Sequence, residues 1–137
     1  MYQENAKKAL ADIDITSKKT KAIFSKKPAP YLVFHDAYQY YEESFHLKPT
    51  DVLSIHPEVP ISARKLQSIN KKIRTQGIRC IFSEPQFSRK TIDKLLSDNP
   101  SLSHGVLDPV GDDKDIGPKG YITLLEGLTN TFQSCIK

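Results

Sequence analysis

The sequence lacks the features that mark several large protein classes. Its apolar runs are only a few residues long, so no segment predicts a membrane span. Its first residues, MYQENAKKALADI, are polar and helical, without an apolar core or cleavage site, and do not predict a signal peptide. The chain is then either cytosolic or a piece of a longer protein. Its 137 residues, 38% hydrophobic and 26% charged, are typical of one globular domain.

Common motifs of catalysis and nucleotide binding are also absent. There is no G-x-S-x-G, and neither cysteine stands at a strand-to-helix elbow, so hydrolase templates fit poorly. Without a G-x-G-x-x-G or a P-loop, nucleotide binding has no support. The net charge is +4, but the densest basic cluster, SKKTKAIFSKK at 17–27, lacks the interleaved arginines and aromatics of a nucleic-acid surface. We interpret it as a solvated helical face and expect no nucleic-acid partner.

The two cysteines, Cys80 and Cys135, are too far apart for a C-x-x-C zinc or thioredoxin motif. In one interpretation Cys80 is a buried, inert thiol in a predicted strand and Cys135 is an incidental thiol near the C-terminus. In the other, a disulfide joins the last helix to a central strand, which implies an oxidising compartment. Spacing alone does not choose between them.

A strand–helix unit occurs four times after an N-terminal helix. An imperfect apolar stripe predicts that first helix over 3–24, and KKPAP ends it. The predicted strands are 30–35, 51–56, 78–83 and 103–108, and the helices that follow them are 37–46, 62–76, 88–99 and 121–136. We expect Asp36 and Ser88 to be N-caps and Gly77 to end a helix. Short apolar strands alternating with helices predict an α/β fold, a four-stranded parallel sheet with helices on both faces.

Polar side chains follow every predicted strand, at the edge where open parallel sheets bind ligands. They are His35 and Asp36, His56 and Glu58, Glu84, and Asp108. Imidazole and carboxylate suit Zn²⁺ or Mn²⁺, and they also suit general acid–base catalysis. The loop 108–120 is long and rich in glycine, proline and aspartate, which is typical of functional loops. A crevice with one good ligand, however, does not supply the three or four donors that a zinc ion needs.

Several segments closely resemble one family. YLVFHDAYQYYEESFHLKP, IHPE, CIFSEPQFS, LDPVG and the terminal SC are similar, in order and spacing, to the C-terminal lobe of the periplasmic zinc-binding proteins of bacterial zinc ABC transporters. The resemblance runs from about residue 30 to 137. It implies that 1–28 is part of the helix linking two lobes and that 29–137 is the C-terminal α/β metal-binding lobe of a two-lobe periplasmic binding protein.

The resemblance also implies partners and a location. The expected partners are a zinc ion, a membrane permease and an N-terminal lobe, whose ligands and signal peptide this sequence does not contain. The expected location is the periplasm, and the family's role is metal binding rather than catalysis. A single lobe would expose apolar surface that its partner lobe covers, so self-association is a further expectation.

Residue roles follow from the same resemblance. His35 matches a zinc-binding histidine that is a carboxylate in manganese-specific relatives, so Zn²⁺ is expected rather than Mn²⁺. Asp108 matches an aspartate that binds metal in the manganese branch and lies near the site in the zinc branch. Glu84 and Glu58 match polar residues of the crevice that orient the ligands by hydrogen bonds. His56 and Asp36 are expected to support the site from their positions at strand ends, although Asp36 is expected mainly to cap its helix. Cys80 and Cys135 match a disulfide pair.

With part of the ligand set, the isolated lobe is expected to bind zinc at about micromolar affinity or weaker. Two alternatives stay open. One is a small metal-dependent enzyme that uses His35, Asp108 and Glu84. The other is a metal-free interaction module that keeps the fold.

Overall fold

The computed structural model describes residues 1–56, 58–112 and 117–136. Its helices are α1 (Tyr2–Ile23), α2 (Gln39–Phe45), α3 (Ala63–Thr75), α4 (Lys90–Asp98) and α5 (Gly120–Ile136); its strands are β1 (Tyr31–His35), β2 (Asp51–Ser54), β3 (Cys80–Ser83) and β4 (Ser103–Val106). All the predicted elements are present, although β2 and β4 each end two residues earlier than predicted. Part of the loop 108–120, residues 113–116, lies outside the described residues. Within the described chain, none of the helices combines the length and the apolar character needed to cross a membrane.

The four strands form one parallel sheet in the order β2-β1-β3-β4. This confirms the predicted α/β class. The chain moves from β1 outward to β2 and then returns past β1 to β3, so the direction of winding reverses between β1 and β3. The carboxyl ends of these two strands therefore flank the switch point at which open α/β sheets bind ligands.

Each face of the sheet carries its own hydrophobic core, as expected for strands buried on both sides. Alternate residues of β1 serve the two faces: Tyr31 and Val33 pack on the side of α2 and α5, while Leu32 and Phe34 pack on the side of α3 and α4. The centre of the first core is Phe132 of α5, which is fully buried. Helices thus cover both faces, as predicted.

Helix α1 packs through only part of its length. The predicted apolar stripe is wrong in its first half, because Leu10 is 66% exposed. The buried residues of α1 are Thr16 and Thr20. The Thr20 hydroxyl lies 3.1 Å from that of Thr129 in α5, which in turn lies 2.7 Å from the Tyr41 hydroxyl in α2. The second half of α1 is therefore joined to the lobe by a hydroxyl network, and its first half projects from it.

Two of the predicted helix caps are wrong. Asp36 does not cap α2, because a tight turn from the Ala37 N–H to the His35 carbonyl (3.0 Å) delays the helix start until Gln39, and Asp36 is then too far from the first free amides. Its Oδ2 instead accepts a hydrogen bond from the Gln39 side chain at 2.5 Å. Helix α4 begins at Lys90, so Ser88 lies one residue before the cap position, although its hydroxyl still accepts a long hydrogen bond from the Lys90 N–H at 3.4 Å.

The end of α3 agrees with the sequence analysis. The helix ends at Thr75, and Gly77 follows with φ +64°, a conformation that glycine adopts without strain. The Ile78 N–H then donates to the Ile73 carbonyl at 3.2 Å, as in a Schellman motif.

A disulfide joins Cys80 and Cys135, with their Cα atoms 5.7 Å apart. It joins the first residue of β3 to the last turn of α5. Of the two interpretations of the cysteines, the pair of unconnected thiols is therefore wrong, and the pairing implied by the resemblance is right.

Gly105, in β4, lies against the core so closely that it tolerates no side chain. A Cβ atom there would lie 2.7 Å from Cδ1 and Cε1 of Phe82, a ring that is fully buried and cannot move aside. We expect Gly105→Ala to lower the free energy of unfolding by about 1–3 kcal/mol, as overpacking does. Gly117→Ala is the matched control, because a Cβ at that position has no atom within 4 Å. Equal stability of the two variants in urea denaturation would contradict the prediction.

Candidate metal centre

The candidate site lies at the switch point between β1 and β3. His35 is the last residue of β1 and is partly buried. Its ring packs edge-on against Phe87, with the centroids 5.7 Å apart and an interplanar angle of 84°. Glu84 directly follows β3 and is only 3% exposed. The strand ends therefore hold an imidazole in a fixed orientation beside a buried carboxyl group.

Glu84 has one satisfied and one orphaned oxygen. Its Oε1 accepts a hydrogen bond from the Tyr38 hydroxyl at 2.7 Å, whereas its Oε2 is buried without a partner among the described residues. Burial raises the pKa of Glu84 above its ordinary value, and the Tyr38 hydrogen bond and the charge of His35 offset this only in part. A buried oxygen without a partner is a costly arrangement, so a donor for it is to be expected at this site.

Tyr38 links three strand ends and was not recognised in the sequence. It is 2% exposed and stands immediately before α2, which follows β1. Besides Glu84 after β3, its hydroxyl contacts the Leu107 carbonyl after β4 at 3.3 Å. Burial, followed by the charge of Glu84, raises the pKa of Tyr38 far above its usual range, so the phenol stays a donor.

Asp108 stands two residues after β4 and is held by its own loop. Its Oδ1 accepts hydrogen bonds from the Gly111 N–H at 3.0 Å, the Val110 N–H at 3.1 Å and Gln86 Nε2 at 3.2 Å. Burial tends to raise the pKa of Asp108, but these hydrogen bonds outweigh it and the pKa is lowered. Gly111 adopts φ +77°, which allows the loop to turn its amides toward the carboxylate. Asp108 is therefore an ionised, preoriented carboxylate.

The sheet order places His35, Glu84 and Asp108 at the carboxyl ends of three neighbouring strands. Strands β1 and β4 both neighbour β3, and neighbouring strands lie about 4.8 Å apart, so β1, which ends at His35, and β4, which precedes Asp108, are separated by about 10 Å. Glu84 follows β3, the strand between them.

The other predicted residues lie at the sheet edge or are engaged elsewhere. His56 and Glu58 follow β2 at the sheet edge; both are exposed, and no hydrogen bond within the described chain connects either to His35. Asp36 is engaged with Gln39. Among the described residues, no group of three or more histidine, cysteine, aspartate or glutamate side chains is arranged to hold a metal ion. Within the described residues, these side chains therefore do not form a complete metal site.

Two buried carboxyl groups are expected to make the free energy of unfolding depend on pH. Burial raises the pKa of both Glu42 and Glu84, although Glu42 accepts a hydrogen bond from Tyr31 at 2.7 Å. A raised pKa in the folded state contributes stability below the unfolded value near 4.5, and this is lost as pH rises through the folded pKa. We therefore expect the free energy of unfolding to be higher at about pH 5 than at about pH 8 in urea denaturation.

The variant Glu42→Gln should flatten that dependence, because it removes one of the two groups. The exposed neighbour Glu43 provides the control, and Glu43→Gln should leave the dependence unchanged. A free energy of unfolding of the wild type that is constant or rises between pH 5 and pH 8 would show that burial does not raise the pKa of these two carboxyl groups.

Comparison with known sequences decides the family. The family model described as "Zinc-uptake complex component A periplasmic" matches residues 1–135. This chain belongs to that family. The family is one of zinc-uptake periplasmic binding proteins rather than enzymes. The resemblance seen in the sequence motifs is thus confirmed.

Individual relatives show how much of the family's length is present. The high-affinity zinc uptake system protein ZnuA of Brucella abortus (strain 2308) is 37% identical over 136 residues, which cover 98% of this chain and 40% of the Brucella protein. The corresponding Haemophilus influenzae protein is 34% identical over 121 residues, covering 88% of this chain and 36% of its own. This zinc-uptake family member therefore spans about 40% of the length of the curated relatives it matches.

Solved structures share its fold. The laminin-binding protein Lbp of Streptococcus pyogenes superposes with a TM-score of 0.81 at 21% identity, covering 99% of this chain and 53% of that protein. At such identity the likeness concerns the fold alone.

Proposed function

We propose that this chain is the C-terminal lobe of a zinc-specific solute-binding protein that captures Zn²⁺ for an ABC permease. Residues 1–28 form part of the helix that links the lobe to a second one, and 29–137 form the lobe itself. Family membership supports this role, as does a length about two fifths that of the relatives. The projecting, exposed first half of α1 suits a helix that continues toward another domain.

The observation that carries the proposal is the buried oxygen of Glu84 that has no partner among the described residues, at the end of the strand between those that precede Asp108 and end in His35. Imidazole and carboxylate are zinc ligands, and Asp108 is ionised, as a ligand must be. A metal-bound histidine commonly donates its other ring N–H to a carboxylate, and Glu84 Oε2 is an acceptor in need of such a donor. His35 and Asp108 then bind the ion, while Glu84 orients His35 and Tyr38 orients Glu84.

A tetrahedral zinc site needs more ligands than this pair supplies. We assign the remaining ligands to the second lobe, so that the ion is held between two lobes. Imidazole at position 35 favours Zn²⁺ over Mn²⁺. The periplasm is the proposed location, in agreement with the family description and with a buried disulfide that persists in an oxidising compartment.

Zinc titration of this chain by calorimetry tests the proposal. We expect binding with a Kd of about micromolar or weaker, because two ligands act without the full set. His35→Ala should abolish the binding, since one carboxylate then remains. The matched control is His46→Gly, which removes an exposed imidazole at φ +56°, where glycine is favoured and the fold is kept.

Two results would overturn the proposal. Equal zinc affinity of the wild type and His35→Ala would place the ion elsewhere. Nanomolar binding by the monomer would show that this lobe holds a complete site without a partner. Catalytic turnover abolished by His35→Ala would instead support the enzyme alternative.

A further inference from the structure

Gln86 contacts two carboxylates with one atom. Its Nε2 donates to Asp108 Oδ1 at 3.2 Å and to Asp112 Oδ2 at 2.8 Å. The sequence analysis assigned no role to either Gln86 or Asp112. Gln86 has no charge and lies on the surface, so its conformation is not imposed by the core. What the amide does is join two negative groups that would otherwise repel each other beside the candidate metal centre.

Asp108 is held by several donors. Its Oδ1 has two lone pairs and already faces three N–H donors, from Gln86 and from the backbone of Val110 and Gly111. The backbone N–H of Asp112 is a further donor to the Asp108 carboxylate. Gln86 in turn keeps the Asp112 side chain turned toward itself.

The segment Glu84–Phe87 connects this arrangement to the other expected ligand. Phe87 packs against the His35 ring and, with centroids 6.0 Å apart, against the buried Phe34. The Phe87 N–H closes a turn on the Glu84 carbonyl at 3.4 Å. One short turn thus contacts His35 on one side and Asp108 on the other.

From these contacts we infer that Gln86 is a positioning residue that sets metal preference by withholding two carboxylate oxygens, Asp108 Oδ1 and Asp112 Oδ2, from the bound ion. This rests on the proposed function. Zinc accepts four ligands, each carboxylate giving one oxygen, whereas manganese prefers six-coordinate, oxygen-rich sites. Limiting the oxygen supply therefore favours Zn²⁺ over Mn²⁺.

The test compares affinities for two metals across variants of the full chain. Zn²⁺ is titrated by calorimetry, and Mn²⁺ by the electron paramagnetic resonance signal of the free ion. We expect Gln86→Ala to lower the preference for zinc, the ratio of the Mn²⁺ Kd to the Zn²⁺ Kd, by about 10-fold, as supporting residues of metal sites do. Gln86→Met keeps a side chain of similar length without the N–H donor and should lower the preference for zinc by a similar factor. Gln67→Ala, an exposed glutamine on α3, should leave the ratio unchanged.

A second substitution separates positioning from a loss of structure. If freed Asp112 supplies the added oxygen, Asp112→Asn in the Gln86→Met background should restore most of the zinc preference. Equal weakening of both metals would show a structural role only and overturn the inference. If the wild type binds no zinc, or binds it equally well after His35→Ala, the proposed function is overturned. If zinc binding depends on His35 but the ratio of the Mn²⁺ Kd to the Zn²⁺ Kd is unchanged in the Gln86 variants, only the role of Gln86 is overturned.

Discussion

Reduction of the Cys80–Cys135 disulfide should lower the free energy of unfolding by about 4 kcal/mol. The two cysteines are 55 residues apart, and in the chain-entropy model a cross-link over a loop of that length removes about this much freedom from the unfolded chain. The bond also joins a central strand to the closing helix, and Cys80 is fully buried. The measurement is urea denaturation followed by circular dichroism, with and without reductant.

The double variant Cys80→Ala/Cys135→Ala provides the control for this prediction. It should match the reduced wild type to within about 1 kcal/mol and should not respond to reductant, since Ala fills slightly less space than Cys. Thiol counting in denaturant should find no free thiols in protein from an oxidising compartment. Two free thiols, or a stability unchanged by reduction, would contradict the disulfide's role.

The order of strands could not be predicted from the sequence. Periodicity distinguishes strands from helices, because a buried strand such as YLVFH and an amphipathic helix such as α3 repeat differently. It does not say which strands are neighbours. That β1 and β3 are adjacent, so that His35 and Glu84 flank the switch point, follows from packing between segments distant in sequence.

The helix starts were predicted less well than the helices themselves. Asp36 and Ser88 have the chemistry of N-caps, but the preceding turns decide where the first free amide lies. At Asp36 the turn made by His35 and Ala37 moves the start two residues along. At Ser62, where the chain enters α3 in an extended conformation, the side chain does cap, accepting from the Lys65 N–H at 3.2 Å.

Two residues near the candidate site that the sequence did not reveal, Tyr38 and Gln86, make long-range hydrogen bonds. Tyr38 is separated from Glu84 by 46 residues, and Gln86 is separated from Asp112 by 26. One signal was available for Gln86: it lies within CIFSEPQFS, a segment quoted for the family resemblance. His35, Glu84 and Asp108 were predicted as site residues because they stand at strand ends, whereas Tyr38 stands at a helix start, where an aromatic residue suggests packing.

Phe132→Ala should be among the most destabilising single substitutions, costing about 3–5 kcal/mol of the free energy of unfolding. The ring is fully buried at the centre of the core between the sheet and α5. Its centroid lies 4.7 Å from that of Phe82, 5.6 Å from Tyr31 and 5.4 Å from Tyr41, on which it stacks at 11°. Removing it leaves a cavity bordered by rigid rings that cannot collapse into it.

The same substitution should weaken the proposed metal centre indirectly. Phe132 packs edge-on against Tyr38, with centroids 6.0 Å apart, and Tyr38 holds Glu84. Zinc affinity in Phe132→Ala should therefore fall along with stability, whereas Tyr40→Ala, which truncates a side chain 89% exposed on α2, should change stability by less than about 0.5 kcal/mol and leave zinc binding intact. Urea denaturation and zinc calorimetry on both variants measure the two effects. A loss below 1 kcal/mol in Phe132→Ala would mean that the aromatic core can repack, and an unchanged zinc affinity would mean that Tyr38 keeps its position without it.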